Sequence, residues 1–433
     1  MQKGYFLGKL CLYMIKKLIP KKLRNSLHFF YAWYGAFKYK YPSKEMLVIG
    51  ITGTTGKSSV IHFLRQVLES ADYKVGSLST VDFYVAGEEK LNDQKMTMLG
   101  RTKIQKYLRE MVDKKCDIAI VETTSEGRLQ YRHRFINYDI MALTNLYPEH
   151  IESHGSFENY KKAKLDIFKY VSKCKRKNNG KIAIVNGESE YADEFLQYNF
   201  EQKIKFHTPQ NSYNVSKEGL NFEYEGYKFS APLFGEHNIE NLITVINIVR
   251  TMDMPWQDIQ NTIVKLQPPP GRIEFISEAE KLGFQVIVDY AFEPKAIKAL
   301  YGVVELLKPK RVIHVFGSTG GGRDKERRFS VGEFVGKNAD ICIVTDEDPY
   351  DDDPMEIIND VADAVEKTGK VLDKDLYKIL DRGDAIKKSV EIAKEGDLIL
   401  VTGKGSEQKM CLAGGKMVEW DDREKVRNAL EIK

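Results

Sequence analysis

The sequence predicts an α/β protein in which a central P-loop domain with a mostly parallel sheet precedes a Rossmann-like α/β domain. From position 47 onward, strand-like runs such as "MLVIGIT", "DIAIVET", "DIMALTNL" and "KIAIVN" alternate with helical patterns, which is typical of a parallel sheet covered by helices. A second alternating series follows, with "FQVIVDYA", "RVIHVFG", "DICIVTD" and "DLILVTG". Between them, "LQPPPGRIEFI" combines three prolines with a glycine, which places a domain boundary near Gly271. The predicted segments are residues 1–45, 46–270 and 271–433.

Composition and charge narrow the function classes. The chain has 433 residues and a net charge of +4, so no strong overall field favours nucleic acid as a partner. Its five cysteines are scattered without a C-x-x-C pair, and no cleavable signal peptide is recognisable, which favours the cytoplasm. No uncharged run reaches the roughly 20 residues that a transmembrane helix requires.

The opening segment, residues 1–45, is basic and aromatic. Besides its lysines and single arginine, the segment contains one acidic residue, Glu45. The stretch "HFFYAWYGAFKYKYP" is rich in aromatic residues. Two interpretations remain open: an amphipathic helix lying peripherally on an anionic membrane, or helices that pack their apolar face on the body of the protein. A short strand excursion is also expected in "LNFEYEGYKFSAPLFG", which alternates with period two.

A glycine-rich stretch, "GITGTTGKSS" at residues 50–59, follows the first strand and precedes a helical pattern. Glycines let backbone N–H groups approach phosphate oxygens, Lys57 supplies charge for the β and γ phosphates, and Ser58 can bind Mg²⁺. The strict G-x-x-x-x-G-K-[ST] spacing is missed because position 51 is isoleucine, so a turn without nucleotide is the alternative. We predict an ATP site whose loop residues are Gly53, Thr54, Thr55, Gly56, Lys57, Ser58 and Ser59.

The loop resembles that of the Mur ligases, ATP-dependent enzymes that join an amino acid to a peptide carboxylate of a cell-wall precursor. Seven further motifs occur in the family's order: "VETTSEGRLQYR", "LTNLYPEHIESHGSFENYKKAK", "GEHNIENL", "LQPPPGRIEF", "VDYAFEP", "GGGRDKERR" and "VTGKGSE". Each is weak alone, whereas eight in sequence are specific. The last of them, with "TDEDPY", resembles the MurE branch, which adds the third residue of the stem peptide.

The resemblance implies a catalytic set consisting of Lys57, Glu122, His150 and Lys164. Glu122 ends a predicted strand, where an open sheet places ligand groups, and its carboxylate can hold Mg²⁺. Ser58, His150 and a carbamylated Lys164 would complete the metal ligands. Without the resemblance, His150 would be a structural hydrogen-bonding residue and Lys164 a solvent-facing helix lysine.

The resemblance also implies nucleotide and substrate contacts beyond the loop. Asn238 and Asn241 match the adenine side, although helix capping would also explain an asparagine there. Arg272 and Asp289 match a phosphate-reaching arginine and a ribose-binding aspartate, with an ordinary ion pair as the alternative. The residues expected to contact the muramoyl-peptide or the incoming amino acid are Thr97, Thr124, Ser125, Gln130, Arg132, Asp348, Tyr350 and Glu407.

The amino acid to be added is predicted from "EDPY" at residues 347–350. Family members that take meso-diaminopimelate carry Asp-Asn-Pro-Arg, whose arginine pairs with the far carboxylate. Here Tyr350 replaces that arginine and three aspartates follow, which favours a diamino acid such as L-lysine. The alternative is that the acidic run is a solvated helix start.

Departures from the family pattern leave the acceptor open. Thr55 stands for the usual loop asparagine, Phe292 for a histidine, and Glu126 for the histidine before Gly127. The segment of residues 1–45 stands where typical members have a uridine-nucleotide domain. The alternatives are therefore another ligase of the superfamily, similar to folylpolyglutamate synthetase or acting on a lipid-linked precursor, or a nucleotide-gated binding protein without ligation.

Overall fold

The computed structural model describes residues 21–94, 96–148, 154–177, 180–209, 212–322 and 325–433. They form two compact units. The first unit consists of three pieces of the chain: the residues up to Glu89, Met96–Thr208 and Ile243–Asp253. The second contains Pro209–Leu242 and Met254–Lys433, with a short piece beginning at Lys90. This division differs from the boundary predicted near Gly271, because residues 209–242 and 254–270 fall in the second unit.

The first unit is built on an eight-stranded sheet of order β4-β3-β2-β5-β1-β6-β7-β8. The strands are β1 (Leu47–Thr52), β2 (Val75–Leu78), β3 (Asp82–Val85), β4 (Glu88–Leu91), β5 (Ile118–Glu122), β6 (Ile140–Leu143), β7 (Ile182–Asn186) and β8 (Gln202–Phe206). Strand β1 lies between β5 and β6 and is parallel to both, while β3 runs antiparallel to β2. The central strands are apolar and buried along nearly their whole length, as expected when both faces of a sheet are covered. The predicted P-loop domain with a mostly parallel sheet is confirmed.

The second unit contains a small antiparallel sheet and a larger, mostly parallel one. Strands β9 (Tyr213–Ser216), β10 (Gly219–Tyr224) and β11 (Tyr227–Ala231) form the antiparallel sheet, which confirms the predicted excursion. The larger sheet has the order β12-β13-β17-β14-β15-β16. Its strands are β12 (Glu274–Phe275), β13 (Gln285–Asp289), β14 (Val312–Phe316), β15 (Ile341–Thr345), β16 (Leu376–Ile379) and β17 (Leu398–Thr402). A hairpin of β18 (Lys409–Leu412) and β19 (Lys416–Glu419) follows.

Alternation along these strands produces two hydrophobic cores in the second unit. On β17, Leu398 and Leu400 belong to one buried cluster, whereas Ile399 and Val401 belong to the other. Because successive side chains of a strand point to opposite faces, the sheet is buried on both sides. The predicted Rossmann-like α/β character of this part of the chain is confirmed.

Thirteen helices are described in the part of the chain given above. They are α1 (Lys21–Lys38), α2 (Lys57–Ser70), α3 (Arg101–Asp113), α4 (Ser125–Leu129), α5 (Phe157–Val171), α6 (Ala192–Leu196), α7 (His237–Arg250), α8 (Trp256–Ile263), α9 (Pro294–Leu307), α10 (Glu326–Asn338), α11 (Pro354–Glu366), α12 (Arg382–Ile392) and α13 (Asp422–Ile432). Several begin at an oxygen-bearing cap: Thr124 accepts from the Gly127 N–H, and Ser156 from that of Asn159. Within the described ranges, no helix combines the length and apolar character needed to cross a bilayer.

Helix α1 packs on α3, but not through its aromatic residues. Ala32, Gly35 and Ala36 form the buried face. A side chain on Gly35 would place its Cβ 2.8 Å from Thr102 Cα, so the two helices approach closely. In the described residues, the helix therefore contacts the body of the protein through small apolar residues, while most of its aromatic side chains are exposed.

Buried charge in the second unit generates a stability prediction. Arg382 donates to both carboxylate oxygens of Asp422 at 2.8 and 2.7 Å and to the carbonyl of Thr402 at 2.7 Å, and both side chains are fully buried. We expect Arg382→Met to lower the free energy of unfolding by about 3–5 kcal/mol, because Asp422 is left buried without its cation. Urea denaturation followed by tryptophan fluorescence measures this. Lys387→Met, an exposed position on the same helix, is the control, and equal midpoints for the two variants would contradict the expectation.

Candidate active site

The glycine-rich loop joins β1 to α2 and fits its backbone tightly against the end of β6. Gly53 has φ 155° and Gly56 has φ 78°, both in the region that favours glycine. A Cβ on Gly53 would lie 1.9 Å from Thr144 Oγ1, so no other residue fits there. Asn145 Oδ1 accepts the N–H groups of Thr54 and Thr55 at 3.1 and 2.9 Å. The neighbouring strand thereby fixes the shape of the loop.

Two ammonium groups meet at this loop. Lys57 Nζ donates to the carbonyls of Gly53 and Thr54 at 3.1 and 2.7 Å. Lys164 Nζ, from α5, donates to the same Gly53 carbonyl at 2.7 Å and is 1% exposed. Lys164 is thus a buried loop contact and not the solvent-facing lysine that helical spacing alone suggests. The first turn of α2 also contains Ser58 and Ser59, both half-buried.

Oxygen ligands lie beside the loop. Glu122, at the end of β5, is 2% exposed. Its Oε2 accepts from Ser58 Oγ at 3.0 Å and from the N–H and hydroxyl of Thr80 at 2.7 and 3.0 Å. A hydroxyl and a carboxylate in contact are the hard oxygen donors that suit Mg²⁺. Among the described residues, no three acidic, histidine or cysteine side chains form a metal-binding group, and the predicted ligand His150 lies outside the described residues.

A polar chain leads from the loop to α4. Tyr160 donates its hydroxyl hydrogen to Thr54 Oγ1 at 3.1 Å, and His154 Nε2 lies 3.1 Å from Ser125 Oγ. Burial lowers the pKa of His154, which favours the neutral imidazole. The rings of His154 and Tyr160 lie 5.2 Å apart between centres, so contacts run from the loop through these two residues to Ser125.

Arginines collect on the other side of α4. Arg132 donates to Gln130 Oε1 at 2.8 Å and to the carbonyl of Met98, the residue after Thr97. Arg101 donates to the carbonyl of Gln130 at 2.7 Å. Burial, with the nearby charge of Arg132, lowers the pKa of Arg101 to about 10. The predicted acceptor contacts Gln130 and Arg132 are thus bonded to each other, and Thr97 precedes the residue whose carbonyl Arg132 binds.

In the second unit, Asn238 and Asn241 lie in the first turns of α7. Asn238 Nδ2 donates to the carbonyl of Phe234 at 2.7 Å, and Asn241 Nδ2 donates to Asn238 Oδ1 at 2.9 Å. Asn238 therefore donates to a carbonyl before the helix and does not accept as an N-cap would. The pair forms a small hydrogen-bonded cluster at the start of α7.

Arg272 and Asp289 lie near the end of β13. Asp289 accepts the N–H groups of Ile273 and Ala291, each at 2.7 Å, and burial raises its pKa. The guanidinium of Arg272 covers the ring of Tyr290 at 4.3 Å from its centre. Stacking of a planar cation on an aromatic ring orients its donors.

The predicted amino-acid contacts surround Lys404, which is fully buried. Its Nζ donates to both oxygens of Asp348 at 3.0 Å and to Glu407 Oε2 at 2.6 Å. Tyr350 follows with φ 54°, and its ring covers Gly321. Burial raises the pKa of the neighbouring Glu347 to about 7 and that of Asp346 to about 6.

The three aspartates after Tyr350 have structural partners. Asp351 accepts from the Gly414 N–H and Asp352 from the Gly321 N–H, at 2.7 and 3.1 Å. Asp353 caps α11 by accepting from the Met355 N–H at 2.8 Å. A helix start thus accounts for Asp353, and backbone hydrogen bonds engage the other two aspartates.

Comparison with known proteins gives the family. Residues 51–249 match the Mur ligase middle domain and residues 271–405 match the Mur ligase glutamate ligase domain. The chain belongs to the Mur ligase family. A "UDP-N-acetylmuramyl-tripeptide synthetase" of Borreliella afzelii is 33% identical over 407 residues, which cover 90% of this chain and 78% of the relative.

Two further relatives of this Mur ligase have related names. A "UDP-N-acetylmuramoyl-L-alanyl-D-glutamate--2,6-diaminopimelate ligase" of Clostridium botulinum is 31% identical over 405 residues, which cover 91% of this chain and 80% of the relative. A solved structure titled with the same activity has a TM-score of 0.60 at 26% identity, covering 92% of this chain and 82% of that one. As a Mur ligase, the chain is an ATP-dependent ligase.

Sequence reasoning missed residues that hold this site in the Mur ligase chain. Asn145, His154 and Tyr160 contact the loop or α4 from positions 29 to 106 residues away in sequence. All three lie in or beside the segment "LTNLYPEHIESHGSFENYKKAK", which was identified only for His150 and Lys164. Arg101 and Lys404 had no signal, because a lysine or arginine gives no sign of burial until its neighbours are known.

Removal of the loop lysine is the direct test of this site. We expect Lys57→Ala to lower the rate of ATP-dependent ligation about a hundredfold or more, because a cation that faces transferred phosphate is lost. Circular dichroism should stay unchanged, since Lys57 is half-buried and the two hydrogen bonds described above are to carbonyls of its own loop. Lys106→Ala, an exposed change on α3, is the control. Near-normal turnover of Lys57→Ala would contradict the assignment.

Proposed function

We propose that this Mur ligase adds an amino acid to the carboxylate of a muramoyl-peptide precursor at the expense of ATP. The observation that carries the proposal is one loop with two lysine side chains at a single carbonyl and a Ser58–Glu122 pair beside it. A nucleotide-binding switch needs the loop alone. A second, buried lysine held at Gly53, which can be converted to a metal-binding carbamate, supports a site that handles a transferred phosphoryl group.

The chemistry follows from the weakness of a carboxylate as an electrophile. Its oxygen takes the γ-phosphoryl group of ATP and becomes an acyl phosphate, which the incoming amine attacks to form the amide and release phosphate. Lys57 neutralises charge on the transferred group, and the loop N–H groups position it. The chain thus contributes positioning and electrostatics, with no covalent bond to the protein.

Mg²⁺ is part of the proposal. Ser58 and Glu122 would hold one ion on the ATP phosphates, where it offsets phosphate charge. His150 and Lys164 are the residues proposed for a second ion, with Lys164 as a carbamate. The buried Lys164 side chain lies within hydrogen-bond distance of the Gly53 carbonyl, and this position beside the loop supports the assignment.

The acceptor side is assigned to the arginines of the first unit. Arg132 Nε is buried without a hydrogen-bond partner, although the other nitrogens of the group are bonded. An anionic acceptor would satisfy it, with Thr97, Thr124, Ser125 and Gln130 as further contacts. In the second unit, the residues proposed for nucleotide contacts are Asn238, Asn241, Arg272 and Asp289.

The incoming amino acid is proposed to be a diamino acid such as L-lysine. The acidic residues support this choice less than the sequence suggested, because Lys404 forms ion pairs with both Asp348 and Glu407. What remains is the absence of a cation at Tyr350, with the buried carboxylates of Asp346 and Glu347 nearby in sequence. A substrate with a second carboxylate would find no positive partner at Tyr350.

Phosphate release in the presence of ATP tests the function. We expect release only when both a muramoyl-dipeptide acceptor and an amino acid are present, with a product whose mass equals the acceptor plus the amino acid less water. UDP-linked and lipid-linked acceptors are tested side by side. Phosphate release that needs neither substrate, with no new product, would contradict the ligase and favour a nucleotide-gated binding protein.

Carbamylation of Lys164 gives a separate prediction. In this step the amine attacks carbon dioxide, loses a proton and becomes an anion able to bind metal. We expect Lys164→Ala to be inactive and partly rescued by short-chain carboxylates such as acetate, which replace the lost anion. Lys162→Ala, an exposed change on the same helix, should keep full activity without rescue. Loss of activity that no carboxylate restores, with no bound carbon dioxide by mass spectrometry, would contradict the carbamate.

Tyr350 tests the choice of amino acid. We expect Tyr350→Arg to raise incorporation of meso-diaminopimelate relative to lysine about tenfold or more, since a charge-assisted bond to the far carboxylate is gained. Tyr350→Phe is the matched control, because it keeps the ring over Gly321 and adds no charge. Competition between the two amino acids, read by product mass, measures the ratio. Equal ratios for native, Phe and Arg proteins would show that position 350 does not select.

A further inference from the structure

Helix α1 has an outward aromatic face that the catalytic proposal does not use. Its exposed large side chains are Leu27, Phe29, Phe30, Tyr31, Trp33, Tyr34 and Phe37, with Phe37 60% exposed. At 100° per residue, Leu27, Phe30, Trp33, Tyr34 and Phe37 lie opposite the packed face of Ala32, Gly35 and Ala36. The rings contact one another: Phe30 stacks with Tyr34 at 6.4 Å and Trp33 with Phe37 at 5.6 Å. Contiguous exposed apolar surface of this kind marks an interaction site.

The orientation of α1 is fixed by contacts on its inner side. The backbone at Gly35 touches α3, which leaves no space there for a large ring. Phe29 makes edge contacts with Tyr131 and Phe135, at 6.0 and 5.3 Å between ring centres. A turn of the helix that buried Trp33 and Phe37 would break both arrangements. The aromatic face therefore remains outward.

The sequence that contains this face is basic. Residues 1–44 contain ten lysine or arginine residues, four before position 21 and six from position 21 onward, and no aspartate or glutamate. Lys38, Lys40 and Lys44 are exposed at the end of the helix. Apolar anchors beside a row of cations complement a surface that has an apolar interior below an anionic layer.

We propose that the aromatic face of α1 docks on an anionic lipid bilayer and holds the protein peripherally at the membrane. Tryptophan and tyrosine suit the interfacial layer because their rings are apolar and their N–H or O–H groups stay hydrated. A second copy of the chain is a poorer occupant, since a two-fold contact would bring two such basic segments together. Within the described residues no helix can span the bilayer, so the contact is an interfacial one.

Co-sedimentation of the full chain with vesicles tests this proposal. We expect binding to equimolar phosphatidylglycerol–phosphatidylcholine vesicles, much weaker binding to phosphatidylcholine alone, and release by high salt. The double variant Trp33→Ser/Phe37→Ser should bind about tenfold more weakly or worse, because two interfacial anchors are lost. Phe329→Ser, an exposed ring in the second unit, is the matched control and should bind like the native chain.

Each other outcome overturns the proposal. Native-like vesicle binding by Trp33→Ser/Phe37→Ser would mean that another part of the chain meets the lipid or covers the face. Absence of binding to either vesicle, with a concentration-dependent dimer that the double variant abolishes, would assign the face to a second copy. Thermal unfolding confirms that the variant is folded, since neither ring lies in the core. Ligation of a soluble acceptor should be unchanged, which separates this test from that of the catalytic function.

Discussion

The close fit of Gly53 against the end of β6 is the constraint on which the first unit's site depends. With no side chain, its backbone passes within reach of Thr144, and its carbonyl turns to Lys57 and Lys164. The parallel register of β1 between β5 and β6 sets this geometry, because it brings the carboxyl ends of the strands to one edge. The loop, Glu122 and Asn145 therefore lie together, although they follow three different strands of the sheet.

Most of this framework could be predicted from sequence, since strand patterns and strand-end residues are local signals. The loop, Glu122 and the antiparallel excursion required only periodicity and residue type. The burial of Lys164 could not be predicted from its helix, because a lysine on an amphipathic pattern is normally solvated. It becomes buried because α5 packs across the loop and offers the Gly53 carbonyl, a contact 111 residues away in sequence.

In the acidic segment of the second unit, residue types alone predict carboxylates that are less engaged than the structure shows. Residue types alone suggested a field of free carboxylates, yet a buried lysine and backbone N–H groups neutralise or bond most of them. A buried cation with three acceptors costs desolvation that only a complete set of partners offsets. Lys404, Asp348 and Glu407 therefore form one bonded cluster, and its carboxylates are not free of a cationic partner.

The opening helix links the acceptor side to the surface of the molecule. Arg101 Nη2 lies 2.5 Å from His28 Nδ1, while its Nε holds the carbonyl of Gln130. Burial, with the nearby charge of Arg132, lowers the pKa of Arg101, and burial lowers that of Arg132 while Glu126 offsets part of the effect. Desolvation of two neighbouring guanidinium groups is unfavourable, so their hydrogen bonds to backbone and side-chain oxygens matter for the stability of this region. Helix α1 thus has two roles on two faces: its inner side completes the packing around this cation pair, and its outer side is free for contacts that the ligase chemistry does not require.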